Sequence, residues 1–387
     1  MGASNRQRLA VYIDCPFVIV GEEVFAAEAF VCFLGALARE CGGLRLLGRE
    51  DSGGTPARFR LDPAIEFVPL PAYPVLTDVV SVIRSLPRTF AGLWRALDDA
   101  DTALSLGPQP YAIAFALMAM VRRRKRVLGA RQDFPAYVRH RYTGRPGIHL
   151  AARALEAVWR ILARTSRVVA VGPELAQHYS RSPSVLETAI SLIHTAEVEA
   201  GARAAQVRSY DAADLTLLTV GRIDAEKNPL LLPEILAALR QRDPRWRLIV
   251  CGEGNLITEL ARRIRQRGLA PFCELRGYVP LDRGLLDLYR RSHAFVHVSL
   301  TEGLPQVLFE AYASGLPSVA TAVGGVRALA GCSLLVAPQD AAAAAQAVQR
   351  LVDDPALRER LIAAGLQRAA RHTIEIQAAE VARFIAV

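Results

Sequence analysis

The sequence predicts an α/β protein with two Rossmann-like domains, and three observations support this prediction. Short apolar runs alternate with longer amphipathic stretches, which is the pattern of parallel strands joined by crossover helices. This alternation occurs twice and is interrupted near residues 195–213, where small and charged residues predict no strand. The length of 387 residues also fits two or three domains at roughly 100–200 residues each.

Each element is predicted by its own local pattern. In the first half, the predicted strands lie at 9–13, 127–129 and 168–171, and the predicted helix lies at 24–40. In the second half, the predicted strands lie at 215–220, 247–251, 272–275, 294–298 and 318–320, with helices at 230–240, 255–267 and 285–291. Ligands of parallel sheets bind beyond the carboxyl ends of the strands, so we expect the functional residues in the loops that follow them.

The composition excludes several classes of protein. The sequence is 52% hydrophobic and 22% charged, which is typical of a globular protein with a core and not of a disordered chain. The longest apolar run, residues 111–121, is shorter than the roughly 20 residues that a membrane-spanning helix needs, and no apolar stretch typical of a secretory signal opens the sequence. The six cysteines contain no Cys-x-x-Cys pair, which predicts neither a disulfide framework nor a zinc site. We therefore expect a reduced, cytoplasmic protein.

Positive charge is concentrated in the first half of the chain. The formal net charge is +9, and the asymmetry indicates an anionic partner such as a membrane surface, a phosphorylated lipid or a charged glycan. No signature of a nucleic-acid-binding fold is present, so we expect no nucleic-acid partner. The basic run at 122–126 has two interpretations: a patch that contacts the anionic cytoplasmic face of a membrane, or a helix C-terminus favoured by the helix dipole. The second is favoured, although Arg139, Arg141 and Arg145 add basic residues nearby.

The first candidate motif, residues 221–229, follows a predicted strand and precedes a predicted helix. Gly221 permits a tight turn after the strand. Arg222 and Lys227 lie on either side of this turn, where both cations can approach one diphosphate and stabilise its charge without a metal ion. The Asn-Pro pair at the end of the motif predicts the start of a helix. The alternative is a cationic surface loop that only caps this helix, and the motif alone does not decide between the two.

A second candidate motif, residues 301–317, also follows a predicted strand. Its prolines and its glycine near the end predict a short helix whose N-terminus lies at Gly303 and Leu304, where free amides favour an anion or sugar hydroxyls. Glu302 precedes that terminus, and Glu310 lies within the otherwise apolar helix. These two carboxylates can accept hydrogen bonds from the hydroxyls of two sugar rings. For Glu310 the alternatives are an exposed helix position or a buried carboxylate bonded to backbone amides, and its apolar neighbours disfavour an exposed face.

A pair of glycines, Gly324 and Gly325, follows the strand predicted at 318–320. Such a pair lets backbone amides approach a phosphate, but an ordinary turn is at least as good an interpretation.

Three further patterns carry less weight. The acidic residues at 98–101 end an amphipathic helix, which favours a solvated helix end over a metal site. His293 and His297 lie four residues apart on a predicted strand without a third metal ligand, which predicts core or site-lining histidines. Gly252 and Gly254 lack the third glycine of a dinucleotide-binding fingerprint.

Taken together and in order, the three motifs resemble the retaining family 4 glycosyltransferases. The matching features are a Gly-Arg with a downstream Lys-Asn, two glutamates separated by seven residues, and a glycine pair, each following a strand. Weaker matches lie at 168–175, 251–254, 276–279 and 371–373, so the resemblance covers nearly the whole chain and is strong over 215–325. It implies the GT-B fold, in which two Rossmann-like domains face each other across a cleft.

The resemblance also implies domains and residue roles. Residues 1–194 would form an acceptor-binding domain on which the C-terminal helix at 372–387 packs back, and residues 195–371 would bind the nucleotide-sugar. The implied catalytic residues are Arg222 and Lys227, which would stabilise the donor diphosphate, and Glu302, which would bind the transferred sugar with the amides of the two following residues. The implied donor-binding residues are Gly21, Gln132, Asp133, Gly221, Gly252, Tyr278, Val279, Gly303, Leu304, Glu310, Gly324 and Gly325. Glu310 would bind the ribose hydroxyls, and the segment 276–279 would meet the base.

The first half departs from the family pattern at two places. Family members often carry a Gly-Gly loop after the first strand, where this chain has only Gly21. Many also carry a His-Asp pair, where this chain has Gln132 and Asp133. Glutamine can still bond a sugar hydroxyl, but it cannot become cationic. This departure bears on the identity of the sugar and on activity.

The sequence therefore predicts a retaining, metal-independent glycosyltransferase without a cofactor. It would move a hexose from a UDP- or GDP-sugar to a glycan, a lipid-linked acceptor or a small molecule. Two alternatives stay open: a GT-B epimerase that hydrolyses its donor, and a non-catalytic subunit that binds a sugar nucleotide. Polysaccharide biosynthesis and natural-product glycosylation are equally compatible with the pattern.

Overall fold

The structure of the chain, a computed structural model, describes residues 8–51, 58–72 and 79–387. The contacts between residues divide the chain into two compact units. The first unit comprises residues 1–134, 150–192 and 374–387, and the second comprises residues 135–149 and 193–373. The main division thus falls after residue 192, whereas the predicted boundary falls after residue 194. Residues 135–149 group with the second unit, although the prediction placed them in the first domain. The predicted N-terminal domain also includes 1–7, 52–57 and 73–78, which lie outside the described residues.

The secondary structure alternates between strands and helices over most of the chain. The strands are β1 (Leu9–Val20), β2 (Glu23–Ala26), β3 (Leu44–Glu50), β4 (Phe59–Arg60), β5 (Ile65–Leu70), β6 (Thr102–Gly107), β7 (Lys125–Ala130), β8 (Arg167–Val171), β9 (Val185–Thr188), β10 (Leu215–Val220), β11 (Trp246–Cys251), β12 (Cys273–Gly277), β13 (Ala294–His297), β14 (Ser318–Thr321) and β15 (Ser333–Val336). The helices are α1 (Phe30–Cys41), α2 (Val79–Arg95), α3 (Pro110–Val121), α4 (Phe134–Arg141), α5 (Pro146–Ala163), α6 (Pro173–His178), α7 (Thr195–Val207), α8 (Leu232–Arg242), α9 (Ile257–Gln266), α10 (Leu286–Arg291), α11 (Gln306–Ala313), α12 (Ala341–Asp353), α13 (Pro355–Ala370) and α14 (Ile374–Ala386).

The first unit contains a doubly wound parallel sheet. Its parallel strands have the order β5-β3-β1-β6-β7-β8-β9, and β2 and β4 extend it in the antiparallel direction. Residues 9–13 of β1 are buried, because helices cover the sheet and a central parallel strand is apolar on both sides. Trp159 of α5 is fully buried among the apolar residues of β1, β7 and β8.

The helix predicted at 24–40 is partly wrong, because it begins only at Phe30. Residues 23–26 form β2 instead, which pairs with residues 17–20 at the end of β1. The turn between them contains Gly21, whose φ of +63° is the left-handed conformation that glycine adopts without steric cost. The apolar residues of β2 fit a hairpin and a helix equally well, so the pattern alone did not separate the two.

The basic run at 122–126 begins at the end of a helix. Arg122 is the C-cap of α3, and its Nη2 atom pairs with Asp98 Oδ1 at 2.6 Å. This agrees with the favoured interpretation of a helix C-terminus. The preceding apolar run forms α3, half of whose residues are buried. No helix in the part of the chain that the structure describes combines the length and hydropathy needed to cross a membrane.

The second unit contains a parallel sheet of its own. In the described residues, the strand order is β12-β11-β10-β13-β14-β15. The chain winds outward from β10 to one edge, returns to the middle, and winds from β13 to the other edge, which is the Rossmann order. Trp246 of β11 and Leu236 of α8 are fully buried in its core. The predicted α/β class is therefore confirmed, with the helices covering parallel sheets.

The last helix, α14, belongs to the first unit by its contacts. It packs on α1. Gln377 Oε1 accepts hydrogen bonds from Thr188 Oγ1 at 2.5 Å and from the Ala189 backbone amide at 2.8 Å. These buried bonds attach the C-terminal helix to the end of β9.

Candidate active site

The candidate site lies in the second unit, where the strand order reverses. The neighbouring strands β10 and β13 are parallel and are followed by the loops that carry the first two motifs. Loops on either side of such a reversal diverge and leave a crevice for a ligand at the carboxyl edge of the sheet. A small pocket at this edge is lined by residues of both loops, including Arg222, Lys227, His297 and Ser299.

Glu302 is the residue on which these two loops converge. Its Oε1 atom forms an ion pair with Lys227 Nζ and accepts hydrogen bonds from Ser299 Oγ at 2.7 Å and His297 Nε2 at 3.0 Å. The Glu302 side chain is 10% exposed and that of Lys227 is 23% exposed. Three donors therefore hold one oxygen of a largely buried carboxylate, which fixes its position.

The charge of Glu302 follows from these partners. Burial alone raises the pKa of a carboxyl group, but Lys227 and His297 outweigh burial and hold the pKa of Glu302 well below its usual range. Glu302 is therefore ionised at neutral pH. An ionised carboxylate accepts hydrogen bonds only, as required for a partner of sugar hydroxyls.

Arg222 pairs with two carboxylates of its own loop. Its Nη1 atom lies 3.0 Å from Asp224 Oδ2, and its Nη2 atom bonds Glu226 Oε1. Both carboxylates are buried, whereas the Arg222 side chain is 46% exposed. Its guanidinium is thus held at the surface of the loop and close to Lys227 in sequence. The sequence analysis did not predict this pairing.

A second arginine reaches the same carboxylates from an unexpected part of the chain. Arg141, at the end of α4, places Nη1 3.1 Å from Asp224 Oδ2 and 3.3 Å from Glu226 Oε1. Burial opposes the charged form of Arg141, but Tyr137, Asp224 and Glu226 outweigh burial and hold the pKa of Arg141 above its usual range. From the sequence, Arg141 is predicted only to be part of a basic surface. No local signal could have found its role, because its partners lie more than eighty residues away.

Glu310 lies in α11 and is buried. Its Oε2 atom accepts a hydrogen bond from Tyr289 Oη at 2.8 Å. Burial raises the pKa of Glu310 to about 7, although the Tyr289 bond opposes the shift. The exposed helix position considered as an alternative is therefore excluded. The second alternative, a carboxylate satisfied by backbone amides, does not match its Tyr289 bond.

The helix that carries Glu310 begins later than predicted. α11 starts at Gln306, because Pro305 is its extended N-cap, with φ −74° and ψ 125°. Gly303 and Leu304 therefore lie in the loop before the helix and not at its first turn, and Leu304 is buried. A proline keeps the preceding residue out of the helical conformation, which explains the later start.

The Asn-Pro pair of the first motif also differs from its prediction. Asn228 adopts a left-handed conformation, with φ 52° and ψ 43°, and its side chain forms no capping bond. Pro229 begins a short 3-10 turn, and α8 starts only at Leu232. Asparagine tolerates this conformation better than most residues, so it serves the turn rather than a helix cap.

The glycines of the motifs allow loops to approach each other closely. A Cβ atom on Gly324 would lie 1.9 Å from the Glu302 carbonyl oxygen, and one on Gly325 would lie 2.0 Å from the Gly303 carbonyl oxygen. Likewise, a Cβ atom on Gly252 would lie 1.8 Å from the Gly221 carbonyl oxygen. At these positions a side chain would clash with the backbone of the loop that follows the neighbouring strand, so the close packing of the loops explains why the residues are glycines. The predicted approach to a phosphate stays a prediction.

The remaining residues of the predicted site lie in different units. Tyr278 and Val279 follow β12 in the second unit. Gly21, Gln132 and Asp133 belong to the first unit, with Gln132 and Asp133 exposed in the loop after β7. The two histidines set aside in the sequence analysis have different roles. His293 bonds backbone groups of Ser209 and Thr216, whereas His297 bonds Glu302.

In the described ranges, no group of three or more His, Cys, Asp or Glu residues is placed to hold a metal ion.

Comparison with known proteins finds a family match in the second unit. Residues 205–368 match the family described as "Glycosyl transferases group 1". Over this stretch, the chain is similar to the group 1 glycosyltransferases. The matched residues include both site loops, α11 and the glycine pair, and they coincide with most of the second unit.

A curated relative extends the similarity beyond this stretch. The D-inositol 3-phosphate glycosyltransferase of Salinispora tropica is 30% identical over 236 residues, which cover 55% of this chain and 49% of the relative. The chain spans about half the length or less of the curated relatives it matches.

Two solved structures share the GT-B fold with this chain over nearly its whole length. Sucrose-phosphate synthase from Thermosynechococcus elongatus has a TM-score of 0.73 at 19% identity, covering 98% of each chain. The Anabaena protein HepE, solved in complex with UDP, has a TM-score of 0.69 at 14% identity, covering 98% of this chain and 99% of its own. At these identities the likeness concerns the fold alone.

Proposed function

We propose that this chain is a retaining, metal-independent glycosyltransferase that uses a UDP- or GDP-sugar. The second unit would bind the donor, and the first unit would bind the acceptor. The observation that carries this proposal is the arrangement of Arg222, Lys227 and Glu302 around the strand reversal of the second sheet. The match of residues 205–368 to the group 1 glycosyltransferases supports it.

The two cations supply the charge that the leaving group needs. When the bond between sugar and diphosphate breaks, negative charge develops on the diphosphate, and hydrogen-bond donors held in place stabilise it most. Arg222 can offer a planar pair of donors to phosphate oxygens, and Lys227 offers a compact charge. Both side chains are partly exposed at the same pocket. Their charges would serve where other transferases use a metal ion.

Glu302 would bind the transferred sugar. His297 and Ser299 hold the same oxygen that pairs with Lys227, so the carboxylate stays in place when Lys227 turns to the diphosphate. Glu302 would then accept hydrogen bonds from the sugar hydroxyls, with the amides of Gly303 and Leu304 beside it. The acceptor hydroxyl would attack on the face that the diphosphate leaves, so the anomeric configuration is retained.

Glu310 would bind the ribose hydroxyls of the nucleotide. Its buried carboxyl has one oxygen bonded to Tyr289, and vicinal hydroxyls would bond the carboxylate as donors. The backbone of Tyr278 and Val279 would meet the base, and Gly221, Gly252, Gly324 and Gly325 would let the loops approach the donor closely. Recognition of UDP by HepE supports a uridine nucleotide as the first to be tested.

The acceptor is a glycan, a lipid-linked molecule or a small molecule. Gly21, Gln132 and Asp133 are the residues of the first unit that we propose to be donor-binding. The basic first half would contact an anionic membrane surface on the cytoplasmic side if the acceptor is lipid-linked. The Salinispora relative is named a D-inositol 3-phosphate glycosyltransferase, which supports an inositol phosphate as one acceptor to test.

Product analysis tests the proposal. The purified chain is incubated with UDP-glucose, UDP-N-acetylglucosamine or GDP-mannose, with and without glycan, lipid-linked and inositol phosphate acceptors. Release of the nucleoside diphosphate is followed, and the anomeric configuration of the product is read by NMR. We expect acceptor-dependent release, a product with the configuration of the donor, and a loss of turnover of about a hundredfold in Lys227→Ala. Lys125→Ala is the matched control, since Lys125 is the one other lysine in the sequence.

Other results would identify the alternatives. Hydrolysis of the donor at full rate without any acceptor would indicate the epimerase. Nucleotide binding without transfer to any acceptor would indicate the non-catalytic subunit. Unchanged turnover in Lys227→Ala would contradict the assigned chemistry.

A further inference from the structure

Two arginines share one pair of buried carboxylates in the second unit. Asp224 Oδ2 lies 3.1 Å from Arg141 Nη1 and 3.0 Å from Arg222 Nη1. Glu226 Oε1 lies 3.3 Å from the same nitrogen of Arg141 and is also bonded by Arg222 Nη2. Two positive and two negative groups thus form a balanced cluster, in which one oxygen of each carboxylate has two cationic partners.

The members of this cluster differ in how freely they can move. The side chains of Asp224 and Glu226 are 9% and 2% exposed, whereas those of Arg141 and Arg222 are 29% and 46% exposed. Asp224 is further fixed, because its Oδ1 atom accepts a hydrogen bond from the Asn255 backbone amide at 3.0 Å. Arg222 is therefore the member best able to leave the cluster, and the carboxylates are the members that must stay.

When Arg222 leaves the cluster, the buried carboxylates lose a cationic partner, and a second cation can limit the resulting destabilisation. A buried carboxylate that loses its only cationic partner is strongly destabilised. Glu226 is almost fully buried, and its Oε2 atom accepts no hydrogen bond from the described residues. A guanidinium can bond both oxygens of one carboxylate, so Arg141 has a free acceptor to take up when Arg222 leaves.

We infer that Arg141 is a positioning residue, which keeps Asp224 and Glu226 neutralised while Arg222 turns to the donor diphosphate. The inference rests on the proposed function, since it requires Arg222 to bind a diphosphate. It extends that function to a residue outside the three motifs, on a helix far away in the sequence. Arg141 itself touches carboxylates and not the donor, so its removal affects the diphosphate contact only through Arg222.

The test compares nucleoside diphosphate with monophosphate binding. UDP and GDP are first titrated into the wild type by calorimetry, and the tighter nucleotide and its monophosphate are then titrated into each variant. In Arg141→Gln, Arg222 must stay on the carboxylates, so we expect the diphosphate to bind about tenfold more weakly and the monophosphate to change little. Arg141→Lys keeps a cation and should retain most of the affinity. Arg139→Ala, an exposed arginine of the same helix, is the matched control and should bind both nucleotides like the wild type.

A double variant isolates the mechanism. Glu226→Gln removes the charge that Arg141 is inferred to neutralise, so Arg141→Gln/Glu226→Gln should recover diphosphate affinity relative to Arg141→Gln. Equal weakening of both nucleotides, unchanged diphosphate affinity, or no recovery in the double variant would overturn the inference while leaving the proposed function intact. If the wild type binds neither nucleotide, the proposed function fails and the inference fails with it. Thermal melts of each variant establish that the protein titrated is folded.

Discussion

Lys227 and Glu302 form an ion pair across 75 residues of sequence. The pair joins the loop after β10 to the loop after β13, so the two strongest motifs of the sequence meet at one carboxylate oxygen. His297 and Ser299 bond that same oxygen. Glu302 is thus held by the last residue of β13 and by a residue of its own loop, and we expect a ligand to replace Lys227 as its third partner.

Removal of the Lys227 charge should destabilise the protein in a pH-dependent way. In Lys227→Met, burial raises the pKa of Glu302 without its main opposing charge, and we expect a loss of about 3 kcal/mol in the free energy of unfolding at pH 7. In the wild type, the pKa of Glu302 is lower in the folded protein than its ordinary value of 4.5. Glu302 therefore stabilises the folded state at a pH above 4.5, and this stabilisation is lost as the pH falls toward the pKa of the folded protein. The variant instead gains stability as its carboxyl takes up a proton.

The difference in the free energy of unfolding between the wild type and Lys227→Met should therefore become smaller as the pH falls from 7 to 4. Urea unfolding at both pH values measures it, and Lys125→Met is the control for the loss of an exposed lysine. An equal deficit at both pH values would show that Glu302 is not the group through which Lys227 acts.

The two histidines on β13 and beside it should behave differently. His297→Ala removes a donor from Glu302, and we expect kcat to fall about tenfold with little change in nucleotide affinity, because a hydrogen bond to a charged group contributes roughly 1.5–3 kcal/mol. His293→Ala removes hydrogen bonds to backbone groups and none to Glu302. We therefore expect this variant to have a lower melting temperature and a nearly unchanged kcat. Equal effects of both variants on kcat would contradict a positioning role for His297.

Glu310 should make stability fall as the pH rises. Its pKa of about 7 in the folded protein exceeds the ordinary value of 4.5, so the folded state binds more protons, and stability is lost between these two values as the pH rises. The size of the shift corresponds to about 3 kcal/mol. Glu310→Gln lacks this titration.

Thermal or urea unfolding of the wild type and Glu310→Gln from pH 4 to pH 8 measures the effect. The wild type should lose stability relative to the variant as the pH rises. Parallel curves would mean that Glu310 does not titrate in this range.

The close approach of the site loops makes the second glycine of the pair sensitive to substitution. In Gly325→Ala, the new Cβ atom meets the Gly303 carbonyl oxygen at 2.0 Å, so the loop that carries Glu302 must shift. We expect a loss of about 2 kcal/mol in stability, typical of overpacking, and weaker nucleotide binding. Gly331→Ala is the control, since no atom lies within 4 Å of its added Cβ. Equal melting temperatures for the two variants would contradict the packing role.

The sequence predicted the elements that local pattern determines. Most strands of the second sheet lie where continuous apolar runs placed them, and Arg222, Lys227 and Glu302 follow strands as expected. Their convergence was predictable because carboxyl ends of parallel strands share one edge. The order of the three motifs also indicated the family.

What the sequence did not predict depends on contacts between distant residues. Most of β2 falls within the helix predicted at 24–40, because its apolar residues fit the spacing of a helix as well as that of a strand. Arg141 was read as surface charge, since nothing near it in sequence shows that its partners are Asp224 and Glu226. His297 was predicted only as a core or site-lining histidine, because its bond to Glu302 forms only in the folded structure. These positions are defined by tertiary packing, which no local pattern encodes.

The measurement that tests the central claim most directly is nucleotide binding by the wild type and Glu310→Ala. Thermal stability is recorded with UDP, GDP, ADP and dTDP, because a ligand at about a hundred times its dissociation constant adds roughly 2.7 kcal/mol to the stability of the state that binds it. We predict that either UDP or GDP raises the thermal stability of the wild type and that the same nucleotide does not stabilise Glu310→Ala. Failure of all four nucleotides to stabilise the wild type would contradict a nucleotide-sugar site in the second unit.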